Sequence, residues 1–219
     1  MGAERERYEA WLKTWRGVRT AEEEAEVLAV ADAYDAAMER HDLSSERLKV
    51  IVDAASSRRS LLWQNATGML ARLAVRWRIA ADAVRYMFQD RQSHVRFAAL
   101  CCVTLQMPSE IIEDLLRRGL TDKSSRVRWK AAQRIGEFNK TDLLPELEAT
   151  FASETNAKAR PEIELELLLL RDGYIVSPST PSRFEVCVRT SHGIRGRFVS
   201  AAEMNQKGLA TIVAELRDT

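Results

Sequence analysis

Three arginines in this chain each follow an acid by six residues: Asp90 and Arg96, Asp122 and Arg128, Glu154 and Arg160. Successive sets lie 32 residues apart. A carboxylate and a guanidinium at such spacing do not make a nucleophile or a general base. They make charge-assisted hydrogen bonds, and arginine makes them in a planar fork that matches a carboxylate or a phosphate. The chemistry on offer is recognition, of another part of the chain or of an acidic partner. Other chemistries find little support. The three histidines, His41, His94 and His192, belong to no ligand motif. Cys101 and Cys102 are adjacent and Cys187 is remote, so no zinc spacing is present. We read no catalytic residue, no metal and no cofactor from the sequence.

The elements that must carry these residues repeat with them. "DRQSHVRFAAL" at 90–100 parallels "DKSSRVRWKAA" at 122–132. The apolar positions Val95, Ala99 and Val103 match Val127, Ala131 and Ile135, then Ala159, Ile163 and Leu167. Going back 33 residues gives a degenerate copy in Leu62, Ala66 and Leu70, with Trp63 in place of the arginine and Ser57 in place of the acid. Apolar residues at i, i+4 and i+8 predict an amphipathic helix in each copy. Partner helices are predicted near 45–55, 78–88, 109–119 and 142–151. A lone helical pair cannot bury its apolar face, so neighbours must stack. Arginines at the starts of the second helices then suit a structural ladder of Asp90, Arg96, Asp122, Arg128, Glu154 and Arg160.

The acid, Val-Arg and small-residue phrase resembles the HEAT and HEAT-like repeat family, over about residues 45–172 and most closely at 90–136. The resemblance implies a right-handed α-solenoid of about four helical hairpins, with Asp–Arg pairs joining the repeats. The 32–33-residue period is shorter than the ~40–47 usual for that family.

The flanks differ. Residues 1–44 predict N-terminal capping helices, with Tyr8, Trp11, Leu12 and Trp15 as one stripe and Thr20 with Glu23 as a capping box. The prolines of 175–182 predict a linker between the repeats of 45–174 and an appendage at 183–219, a β-hairpin followed by a helix. The hairpin is a candidate self-association element, and the oligomeric state is not readable.

Charge is unevenly distributed. Residues 1–57 carry 8 basic and 13 acidic groups, residues 58–135 carry 15 and 6, and residues 136–219 carry 10 and 13. The net charges are −5, +9 and −3. We therefore expect a basic surface in the middle, with Arg72, Arg76, Arg126, Lys130 and Arg134 as its candidate binding residues. The expected function is a non-enzymatic interaction scaffold or adaptor for another protein with an acidic surface. Nucleic acid is the alternative partner. The family resemblance brings one enzymatic alternative, removal of alkylated DNA bases, with Trp63, Trp129 and Asp82 as residues of matching type but no alignable catalytic motif. The tryptophans, including Trp77, are expected to serve packing first. No apolar run reaches the ~18 residues of a membrane span, and no apolar leader is evident, so the expected location is the cytoplasm.

Overall fold

A computed structural model describes residues 2–14, 20–190 and 193–218. Trp15 of the aromatic stripe and the Ser191-His192 turn lie outside the described residues. The chain divides into two compact units, Met1–Leu115 and Leu116–Thr219. Ten helices come first: α1 Ala3–Thr14, α2 Ala21–Arg40, α3 Ser45–Ala55, α4 Ser60–Arg76, α5 Arg78–Met87, α6 Ser93–Cys102, α7 Ser109–Leu120, α8 Ser125–Glu137, α9 Leu144–Ser153 and α10 Ala159–Arg171. Strands β1 Tyr174–Thr180, β2 Arg183–Thr190 and β3 Gly193–Ser200 follow, then α11 Ala201–Lys207 and α12 Leu209–Asp218. No described helix is long and apolar enough to cross a membrane.

The local signals explain most helix ends. Thr20 accepts from the amide of Glu23, and Glu23 returns a carboxylate to the amide of Thr20, so α2 starts in a full capping box. Pro145 occupies the first turn of α9, where its missing N–H costs nothing. α7 runs one residue past the predicted 109–119, with Gly119 inside it. Gly173 and Gly208 adopt left-handed φ values of 76° and separate α10 from β1 and α11 from α12. At Ser200 only half of a capping box forms. Its hydroxyl accepts from Glu203, whose carboxylate goes to Arg197 instead.

In the first unit the N-terminal helix is fixed by a remote side chain. Asp35 of α2 is buried and accepts from the amides of Glu4 (3.1 Å) and Arg5 (2.9 Å). A carboxylate there satisfies two orphan donors and meets the positive end of the α1 dipole. Tyr8 and Leu12 are buried, and Tyr8 meets Trp11 edge-on at 6.1 Å between centroids.

The second unit requires two corrections. The segment 175–182 is not a linker. Most of it is β1, and the appendage is a three-stranded antiparallel sheet of order β1-β2-β3 rather than a hairpin. Ile175 faces Cys187 and Val176 faces Val186 across β1 and β2, and the register shifts between Pro178 and Thr180. Proline argued against a strand, but β1 is an edge strand, where a missing donor interrupts no ladder, and the shift absorbs the mismatch. One sheet face buries Val186, Val188 and Val199 against Ile212, Val213 and Leu216 of α12. The sheet also packs on α10 through β1 and β2. Arg189 of β2 donates to the carbonyls of Gly136 (2.5 Å) and Leu169 (3.2 Å), and its amide donates to Gly173 (2.8 Å). The sheet is therefore built into the second unit.

Replacing Asp35 by Ala should cost about 1–2 kcal/mol, the usual cost of losing a capping side chain. A lower urea midpoint and faster amide exchange at residues 4–6 would report it.

Candidate binding surface

Each recurring acid sits in the turn between two helices, and each does the same backbone work. The carboxylates of Asp90, Asp122 and Glu154 accept from the amides two residues on, Gln92 (2.7 Å), Ser124 (2.7 Å) and Asn156 (2.8 Å). The arginine six residues later donates to the carbonyl of its own acid. Arg96 reaches Asp90 at 2.9 Å, Arg128 reaches Asp122 at 2.7 Å and Arg160 reaches Glu154 at 2.9 Å. Arg96 also takes the carbonyl of Arg91, and Arg160 that of Phe151, over whose ring it lies at 4.3 Å. The spacing of six is thus a main-chain requirement. The sequence pattern suggested a ladder of carboxylate–guanidinium pairs joining the repeats, whereas the contact common to the three sets is carbonyl to guanidinium within each.

One arginine also joins its turn to the next. Arg128 forms a two-point ion pair with Glu154, both bonds at 2.8 Å. The Glu154 side chain is fully buried and that of Arg128 is 20 % exposed. Glu154 is saturated by these two bonds and the Asn156 amide. The Arg128 guanidinium, ahead of other causes, holds its carboxyl below the usual range.

A second set of pairs with the same period lies on the first helices and was missed in the sequence. Arg85 of α5 pairs with Asp114 of α7 at 3.0 Å, and Arg117 of α7 pairs with Glu146 of α9. Both the arginines and the acids are 32 apart. Arg78 pairs with Asp82 and Glu110. The readable signal was an acid 29 residues after an arginine, twice over.

The expected basic face divides between the two units. On α4, Arg72 donates to the Tyr34 hydroxyl and to Glu4, both at 3.0 Å, and lies over the Tyr34 ring. Arg76 meets His41 Nδ1 at 2.7 Å and lies over Trp77. Both are engaged within the first unit. The second unit brings Arg126, Lys130 and Arg134 together on α8. Lys130 donates to Gln133, and Arg134 to Glu137.

Beside them is a groove of about 400 Å³ between the starts of α8 and α10, lined by Arg126, Trp129, Asn156, Lys158 and Glu162 among others. The amides of Lys158 and Ala159 both donate to Asn156 Oδ1 at 3.0 Å, which shapes one wall. Trp129 stands one position after the arginine, as Phe97 does in the preceding set. Phe97 is buried and meets Trp63 edge-on at 6.2 Å. Trp129 instead lines an opening, with Arg126 and Lys158 beside it. Trp63 therefore fits the expected packing role, whereas Trp129 presents an aromatic surface in a partly basic groove. Trp129 was not among the candidate binding residues, and Lys158 was not considered.

The chain matches no protein-family model and no curated protein.

Arg128→Ala should cost about 2–3 kcal/mol, between the values for exposed and fully buried pairs, because it leaves a buried carboxylate without its fork. Arg117→Ala, at an exposed pair, should cost less than about 1 kcal/mol. Glu154 has a lowered carboxyl pKa in the fold. Its stabilisation is therefore present above the ordinary carboxylate range and lost as pH falls through the folded value. Urea denaturation from pH 7 to 3 should show this loss, and Glu154→Gln should reduce its slope.

Proposed function

We propose that residues 45–172 form a HEAT-like α-solenoid that works as a non-enzymatic interaction scaffold, and that α8 presents the surface that grips an acidic protein partner. The observation that carries this reading is the groove at the start of α8. It combines an aromatic wall, Trp129, with Arg126 and Lys158, and Lys130 and Arg134 follow Arg126 at four-residue steps along the same helix. Lys158 makes no ion pair among the described residues. Aromatic and arginine side chains together favour strong contacts at interfaces, and Lys–carboxylate pairs around them set approach and orientation. The arginines that join α5, α7 and α9 are paired with acids on neighbouring helices, and Arg126 and Lys158 are the exposed cations that line the groove itself.

Nucleic acid is the competing partner, favoured only by Trp129, since a base could stack where an acidic side chain would lie. The base-excision alternative draws little from the other two residues of matching type. Asp82 pairs with Arg78, and Trp63 packs on Phe97.

Fluorescence anisotropy with a labelled acidic peptide and with single- and double-stranded oligonucleotides separates these readings. The peptide should bind, and Arg126→Glu/Lys158→Glu should weaken it at least tenfold without lowering the melting temperature, because substitutions at exposed sites change stability by less than about 0.5 kcal/mol. Tighter oligonucleotide binding with a steep, linear log–log salt dependence would move the assignment to nucleic acid. Failure of both probes to bind at low salt would refute the surface.

A further inference from the structure

The second unit contains a buried acid that none of the preceding functions uses. Glu166 is on α10, is 8 % exposed, and its Oε2 has no hydrogen-bond partner. It lies against Gly136 of α8 so closely that a Cβ there would fall 1.9 Å from Oε2. Gly136 is also where the sheet is fastened, because its carbonyl accepts from Arg189. Arg189 has its own unpartnered atom, the buried Nη2. A buried carboxyl and a half-buried guanidinium thus meet the same glycine from different elements, and each keeps one buried polar atom unsatisfied. A buried polar group without a partner destabilises the fold, and more so when charged, so such a pair is not neutral filling.

We propose that Glu166 is a proton-operated latch for the C-terminal sheet: with its carboxyl protonated the sheet stays docked through Arg189, and ionisation loosens that docking. The charges around Glu166 favour this arrangement. Burial raises its pKa to about 7, against the pull of Arg189 from β2. Glu137 of α8 and Glu162 of α10 raise it further, and Lys130 of α8 lowers it. The carboxylates of α9 are directed elsewhere, Glu146 toward Arg117 and Glu148 acting on Arg171. The titratable group of β1, Tyr174, packs against the core on the α12 side of the sheet.

Ionisation has a defined structural consequence. The new carboxylate would be buried behind a glycine with no donor on Oε2. It can gain donors by admitting water or by turning the Arg189 guanidinium so that its unpartnered Nη2 reaches Oε2. Such a turn pulls Nη1 and Nε off the carbonyls of Gly136 and Leu169, the side-chain contacts that fasten β2. The direction follows from linkage. The carboxyl has a higher pKa when docked than when exposed, so docking takes up a proton. The stabilisation is full below the ordinary carboxylate value of 4.5 and is lost as pH rises through about 7. Because Lys130 and Glu137 belong to α8, the latch also lies behind the surface proposed for the acidic partner.

Amide exchange of the full chain between pH 5.5 and 8, corrected for intrinsic exchange, tests the latch. Protection of β2 and of the α10–β1 junction should fall by about tenfold or more over that interval, in accordance with the linkage relation. Glu166→Gln should keep the sheet docked and flatten the response. An independent reading comes from the side-chain carboxyl carbon of Glu166 in the unmodified protein, followed by NMR, which should titrate near neutrality. A carboxyl that titrates in the ordinary range, a pH-independent protection of β2, or an undiminished response in Glu166→Gln would each overturn the proposal.

Discussion

The turn between two short helices is the place where this chain is most exposed to failure, and one pair of side chains secures it. A helix ending leaves carbonyls without partners, and a helix beginning leaves amides without partners. At residues 90–96, 122–128 and 154–160 the acid accepts an amide and the arginine satisfies the acid's own carbonyl. The arginine is rooted in the second helix, so the turn is fastened to the element that follows it. Arg128 extends the device to Glu154, and there the acid of one turn becomes the anchor of another. Buried apolar side chains of the packed helices α8 and α10, Val127, Ala131 and Ile135 on one and Ile163 and Leu167 on the other, supply the larger free energy, about 1.5–3 kcal/mol for each fully buried large side chain. The polar turn sets the geometry in which they meet.

This arrangement changes the meaning of the positive charge. A net +9 between residues 58 and 135 suggests an open basic surface. Much of it is internal wiring: Arg78, Arg85 and Arg117 link α5, α7 and α9 through acids, Arg72 holds α4 to Tyr34 of α2 and Glu4 of α1, and Arg76 meets His41 just after α2. Arg126 and Lys158 are exposed at the groove that Trp129 lines between the starts of α8 and α10.

Much of the helical pattern was readable in the sequence, because apolar spacing, Thr20, Pro145 and the glycines at 173 and 208 act through local chemistry. β1 was not readable. Pro178 forbids a central strand, and nothing local reveals that a segment will be an edge. The second set of ion pairs was hidden because its acids lie in separate helices 29 residues from their arginines. The Glu166 cluster was also hidden. Its burial depends on Gly136 and Arg189, and only the folded chain brings α8, α10 and β2 together. The identity of the groove was half visible: the period marked Trp129, and only the structure shows that its surroundings differ from those of Phe97.

The central claim is that the arginine and the acid of successive turns act as one unit, and a double-mutant cycle on Arg128 and Glu154 measures that directly. Urea unfolding of Arg128→Ala, Glu154→Ala and the double variant should give a coupling energy of about 1.5–3 kcal/mol, well beyond the error of additivity. Additive effects within about 0.5 kcal/mol would mean that the two residues act separately and that the turns are not joined through this pair.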